Sequence, residues 1–207
     1  EFAKKLIRDT LSTEEIHRAV GRALPAKDGD SGSDPLDLDR IPLDDPRVLA
    51  LFARGDTNGV VQFESGGMKK LLVDMKPDRL EDLIAANALF RPGPMDLIPD
   101  YNARKHGRQA VPKVHDVVER FTAETYGIMV YQEQVMQVLH HLGGIPLREA
   151  YSVIKAISKK KQDVINGARA NFVKGAPGEA VLISWDDANT LFHEFGHALH
   201  GLNSSVT

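Results

Sequence analysis

The sequence predicts a mainly α fold: an irregular bundle of short helices with at most a small β element. Two observations carry this. Helix-start chemistry recurs, with Ser12 three residues before Glu15 and Asp78 three residues before Glu81, the spacing at which a cap side chain and an acid satisfy each other's free backbone N–H groups. Helix-ending Gly and Pro also return often, at Pro25, Gly55, Arg91-Pro92-Gly93-Pro94 and Ala176-Pro177-Gly178, so no helix runs far. At 207 residues, 42% apolar and 27% charged, the chain can bury a core without staples.

Residues 2–11 suit a short amphipathic helix. Ser12 and Glu15 open a second helix to about Leu24, where Pro25 stops it. Residues 25–35 are rich in Gly, Ser, Asp and Pro and read as a linker. This boundary separates an N-terminal piece, 1–35, made of helices and an acidic linker, from a helical region, 36–176. There a helix over 46–54 starts on Asp44 or Asp45 and stops at Gly55. Residues 59–63 (Gly-Val-Val-Gln-Phe) read as a brief strand, and 66–75 as a helix. Asp78 and Glu81 open a helix to about Phe90. Further helices are expected over 95–105, 114–122, 132–142, 147–158 and 162–173. Val135, Met136 and Leu139 recur at helical spacing and are assigned to the core. A last helix, 186–202, lies in the tail, 177–207.

Cysteine is absent, which removes disulfides, thiolate zinc sites and cysteine nucleophiles together and suits a reducing, cytoplasmic setting. No apolar run approaches the roughly 20 residues that span a bilayer, so no membrane partner is expected. The opening Glu1-Phe2-Ala3-Lys4-Lys5 precedes no long apolar stretch and is not read as a signal peptide. With no initiating Met, the chain reads as a piece of a longer protein. A net charge of -3 excludes a uniformly basic nucleic-acid binder. The charge is uneven, however. Residues 28–45 hold seven Asp against one Arg, while 104–161 hold ten Lys or Arg against five Asp or Glu. A basic region of that kind meets phosphates even on a slightly acidic chain.

Ordered blocks across residues 39–176 narrow the reading. They include Ile41-Pro42-Leu43-Asp44-Asp45-Pro46, Arg54-Gly55-Asp56-Thr57, Gln62-Phe63-Glu64-Ser65, Lys76-Pro77-Asp78-Arg79, Arg91-Pro92-Gly93-Pro94 and Arg104-Lys105-His106-Gly107-Arg108. Glu124-Thr125-Tyr126-Gly127, Tyr131-Gln132-Glu133-Gln134-Val135-Met136 and Lys159-Lys160-Lys161 follow. In this order they resemble the start of the fingers region of the bacterial replicative DNA polymerase III alpha subunit. The resemblance implies a nucleotide- and DNA-binding module for DNA replication, working beside other polymerase subunits. It also implies that the chain is catalytically incomplete alone. In that family the palm supplies three Asp that hold two Mg²⁺ for nucleotidyl transfer, and the palm motifs are absent here, so Mg²⁺ is expected only in the full polymerase. Asp37-Leu38-Asp39 alternates carboxylates but sits in the linker and is read as solvated loop.

Residues 154–161 (Ile-Lys-Ala-Ile-Ser-Lys-Lys-Lys) align with a family stretch of two adjacent arginines followed by a lysine run. In the family those arginines face the incoming triphosphate. Here Ile154 and Lys155 stand in their place, and lysine keeps the charge without the planar bidentate fork. Lys155, Lys159, Lys160 and Lys161 are therefore candidate nucleotide or DNA contacts, together with Arg91, Arg104, Lys105 and Arg108. The competing reading of the lysine run is a solvated helix end, where cations favour the dipole. For Arg91 it is a turn residue paired to a nearby carboxylate.

The tail carries separate chemistry. His193-Glu194-Phe195-Gly196-His197 is an H-E-x-x-H motif. On a helix both imidazoles share a face and reach one Zn²⁺, and Glu194 would be the catalytic general base. With Asp186-Asp187 before it and Ala-Leu-His-Gly after it, the motif resembles the zinc helix of M3-type metallopeptidases over residues 181–207. That family hydrolyses oligopeptides and takes its third ligand from a Glu further downstream, and no Glu follows Glu194 here. His200 rises about 10.5 Å from His193 along a helix, too far to share an ion whose Zn–N bonds are about 2.0–2.1 Å. Asp186, His140, His141 or another chain would have to supply the missing ligand. Three readings stand: a polymerase fingers fragment, a recombined or designed helical domain without natural activity, and a zinc-binding metallopeptidase fragment.

Overall fold

The computed structural model describes residues 2–21, 35–36, 41–159 and 161–175. Among the described residues there are ten α-helices, two 3-10 segments and no strand, so the fold is mainly α. The chain divides into two compact units, Glu1–Leu43 and Asp44–Thr207.

The first unit contains α1 (Phe2–Thr10) and α2 (Thr13–Val20). Its capping box forms as the spacing requires: the Glu15 backbone N–H donates to Ser12 Oγ at 3.3 Å, and the Ser12 N–H donates to Glu15 Oε2 at 2.8 Å. The helix ends at Val20, short of the expected Leu24, which lies outside the described residues. Gly21 takes a left-handed conformation, φ 70°, and its N–H closes on the His17 carbonyl, a glycine stop that acts before Pro25 is reached.

The second unit contains α3 (Pro46–Ala53), α4 (Gly66–Met75), α5 (Leu80–Leu89), α6 (Ile98–Lys105), α7 (Asp116–Thr122), α8 (Gln132–His141), α9 (Leu147–Ser158) and α10 (Gln162–Lys174). Asp45 caps α3 by accepting from the Arg47 N–H at 2.9 Å. The Arg47 guanidinium closes on the same carboxylate at 2.8 Å and holds its pKa at about 2. Ser65 caps α4 by accepting from the Met68 N–H.

Two expectations are corrected. Residues 59–63 are not a strand. The Val60 N–H donates to the Thr57 carbonyl and the Phe63 N–H to the Val60 carbonyl, giving successive turns, with Gln62 at φ 71°. The Thr57 hydroxyl closes the loop on the Phe63 carbonyl at 2.5 Å, so the backbone is satisfied locally, without a partner strand. The box expected from Asp78 and Glu81 does not form either. Arg79 is the N-cap of α5 and makes no side-chain cap bond. Asp82 instead accepts from the Asp78 N–H at 3.1 Å, because its carboxylate serves a tertiary ion pair described below.

Two apolar clusters fill the second unit. One gathers α3 to α6 around Leu72, Met75, Ala86, Leu89 and Tyr101, all fully buried. The other gathers α7 to α10 around Val135, Val138, Leu139, Ala150 and Phe172. The expected α8 stripe is core: Val135 and Leu139 are fully buried and Met136 packs partly buried against the same cluster. The segment Ile128-Met129-Val130 serves both clusters. Ile128 and Val130 enter the first and Met129 the second, the alternation of an extended chain. Gln134 secures this segment by accepting from the Val130 and Tyr131 N–H groups and donating to Thr125 Oγ1 and the Phe121 carbonyl. Burial, reinforced by the charge on Glu124, pushes the Tyr131 phenol up to about 12.

Candidate nucleic-acid interface

Arg104, Lys105 and Arg108 stand close together in sequence, but α6 separates them. Lys105 points inward with only 4% of its side chain exposed, and its Nζ lies 2.8 Å from both Asp78 Oδ1 and Asp82 Oδ2. Burial works against the Lys105 ammonium, yet the hydrogen bonds to Asp78 and Asp82 raise its pKa above the ordinary lysine value. The hydrogen bond from Lys105 in turn lowers the Asp78 carboxyl. Asp82 is fully buried and also takes Arg79 Nε at 3.3 Å. Arg79 Nη2 continues the network to the Glu124 carbonyl and the Tyr126 hydroxyl. These groups tie α5 and α6 to the 3-10 segment Ala123–Thr125 that follows α7.

Arg104 is also turned inward. Its Nη1 donates to the Tyr126 carbonyl at 3.2 Å, and its Nη2 lies 3.8 Å from Asp100. It borders a cleft of about 480 Å³ whose walls include Val111, Val114, Val118, Ile128 and Met129. The cleft also carries Lys113 with Glu119 at 3.9 Å and Asp100 beside Arg104, so each of its two cations already faces a carboxylate, which makes it a poor phosphate seat. Arg108 is exposed and its backbone N–H closes on the Ala103 carbonyl. Arg91 is half-buried in the turn before Gly93, whose φ is 107°.

The α9–α10 corner is different. Lys155, Lys159 and Lys161 are all exposed. Lys159 caps the C-terminus of α9 and Lys161 the N-terminus of α10, so the corner concentrates cations where the α9 carbonyls also end. Ile154, expected from the resemblance to stand where the family has an arginine, is turned into the core. It is 2% exposed and part of the second cluster, whereas Lys155 faces out. Of residues 154 and 155, Lys155 alone presents an outward cation. Lys155 Nζ lies 4.5 Å from the centroid of the Tyr151 ring.

Lys160, His193, Glu194, His197, Asp186 and the predicted helix over 186–202 lie outside the described residues, as do Asp37 and Asp39. His140 and His141, named as substitute zinc ligands, are engaged where they are described. His140 Nδ1 lies 2.9 Å from the Ile145 carbonyl, and His141 stacks on Phe121 with ring centroids 5.1 Å apart. Among the described residues no group of three or more His, Cys, Asp or Glu is placed to hold a metal ion, and no helix is long and apolar enough to cross a membrane. Sequence reasoning missed two residues. Asp82 is central to the buried network; it follows Glu81 in the first turn of α5, so nothing local singles it out. Tyr151 is 44% exposed, and its signal is the i, i+4 spacing to Lys155.

Comparison with known proteins adds two matches. Residues 16–179 match the bacterial DNA polymerase III alpha subunit finger domain, and residues 168–207 match peptidase family M3. The first match reaches back into α2, well before the motif blocks that begin at Ile41. The DNA polymerase III subunit alpha of Thermus aquaticus is 43% identical over 176 residues, covering 82% of this chain and 14% of that protein. That of Halalkalibacterium halodurans is 45% identical over 141 residues, covering 68% and 13%. That of Xylella fastidiosa is 45% identical over 174 residues, covering 83% and 14%. The chain therefore spans about one seventh of the length of these relatives.

Proposed function

Because the chain belongs to the family of bacterial DNA polymerase III alpha subunit finger domains, we propose that it supplies a DNA- and nucleotide-contacting surface to a replicative polymerase, beside that polymerase's other subunits. In this reading the Mg²⁺-dependent transfer is the work of palm carboxylates in the full polymerase, whose motifs this chain does not carry. The observation that supports it is the division of the cations. Lys105 and Arg104 serve as internal struts, while Lys155, Lys159 and Lys161 crowd one exposed corner. Arg91 and Arg108 remain further candidate contacts in this reading, as does Lys160, which lies outside the described residues.

Phosphate contact is tested by its salt dependence. Fluorescence anisotropy of labelled single-stranded DNA across a salt series is expected to give a log affinity falling linearly with log salt, with a slope of about -0.7 per neutralised phosphate. No binding at low salt, or binding indifferent to salt, overturns the reading.

A second reading is supported by the M3 match over residues 168–207. In it His193 and His197 hold Zn²⁺ and Glu194 polarises its water for peptide hydrolysis, with the third ligand supplied from outside the H-E-x-x-H motif. Zinc retained after dialysis is then expected to fall in H193A, and equal content in both proteins removes the idea. A folded protein with neither DNA nor zinc affinity is the outcome required by the third reading, a recombined helical domain without natural activity.

A further inference from the structure

The outward face of α9 carries an aromatic ring as well as charge. At about 100° per residue, Arg148, Tyr151, Ser152, Lys155 and Lys159 fall within one sector of roughly 100° of arc, all exposed. No carboxylate shares that sector. Glu149 projects from the far edge of the helix, about 120° from Lys155, and the remaining arc, with Val153, Ile154 and Ala156, faces the core. Tyr151 is the large aromatic side chain of this face. At 44% exposure its ring packs into neither apolar cluster, and its recorded ring partner is the Lys155 ammonium at 4.5 Å.

An exposed ring flanked by cations is the composition that binds a nucleobase with its phosphate. The π face takes the base without regard to sequence, and the cations take the phosphate. We infer that Tyr151 is a stacking residue for a nucleobase, with Lys155 and Lys159, one and two helical turns further along, holding the attached phosphate. This rests on the reading that the chain contacts nucleic acid, and it adds how the base is received. The base comes either from single-stranded DNA or from a free nucleoside triphosphate, two sources of the same chemistry.

Stacking and phosphate contact separate by salt. A lost phosphate contact changes the slope of log affinity against log salt, whereas a lost stack lowers affinity equally at every salt concentration. Binding of labelled oligo(dT) by anisotropy and of dTTP by calorimetry is measured for the wild type, Y151A, Y151F and K155A. Y151A is expected to lose roughly 5- to 150-fold in affinity with its slope unchanged. Y151F should stay within about twofold of wild type, since it keeps a π face, and K155A should flatten the slope. Loss confined to oligo(dT) makes the source a strand, and loss confined to dTTP makes it the free nucleotide. Circular dichroism melts of the variants identify any loss due to misfolding, and Y151F supplies a variant that keeps the ring's packing. Wild-type binding with Y151A unchanged on both probes overturns this inference alone. Equal loss in Y151A and Y151F does the same. If the wild type binds neither probe, the parent reading falls and this one falls with it.

Discussion

Asp82 is fully buried and is shared by Lys105 Nζ at 2.8 Å and Arg79 Nε at 3.3 Å. Removing one partner of such a group leaves a charge in the core with less compensation, which costs roughly 3–5 kcal/mol. K105M is therefore expected to lower stability by about that amount in urea denaturation at neutral pH. The pH dependence has a definite sign on each side. The Asp78 carboxyl is lowered by its hydrogen bond from Lys105, so its contribution is present above the unfolded carboxylate value of about 3.9. It is lost as pH falls through the lower folded value. The Lys105 pKa is raised, so its contribution is full below the unfolded lysine value of about 10.4 and is lost as pH climbs through the folded value. Both limbs should shrink in K105M, and an unchanged urea midpoint would contradict the network. None of this was legible locally. The two carboxylates that hold Lys105 lie 27 and 23 residues away, so from sequence the lysine read as one of a basic cluster.

The elements followed local chemistry where the chemistry was local. Ser12, Asp45 and Ser65 cap the helices that follow them, because a cap needs only the next turn of backbone. The Asp78–Glu81 spacing failed because its neighbour Asp82 belongs to a tertiary ion pair, and residues 59–63 failed as a strand because no partner strand pairs with them among the described residues. The α8–α10 junction depends on a residue whose role is purely steric. A Cβ on Gly143 would sit 2.3 Å from Phe172 Cδ2 and 2.8 Å from the Leu139 carbonyl oxygen. Phe172 is fully buried in the second cluster and has no free space to take up. G143A is expected to force α10 outward and cost about 1–3 kcal/mol, seen as a lower melting temperature. A melting temperature equal to wild type would mean that Phe172 is not seated against α8 as described. Position 143 read from sequence only as part of a loop, since its constraint comes from a side chain 29 residues on.

Over the whole molecule, a chain of net charge -3 turns Lys105 and Arg104 inward onto carboxylates and a carbonyl and leaves Lys155, Lys159 and Lys161 exposed at the α9–α10 corner, the cations proposed to meet phosphate. The sequence named both sets together as candidate contacts, because charge and spacing do not say which way a side chain points. Burial separates them: Lys105 is 4% exposed and Arg104 11%, while Lys155, Lys159 and Lys161 are exposed. The most direct test is the salt slope of single-stranded DNA binding in two variants compared with wild type. The double variant K155A/K159A is expected to fold normally and flatten the slope by about 1.4, or 0.7 for each lost phosphate contact. K105M, assayed where it remains folded, is expected to keep the wild-type slope. A slope unchanged in the double variant, or altered in K105M, would contradict the account.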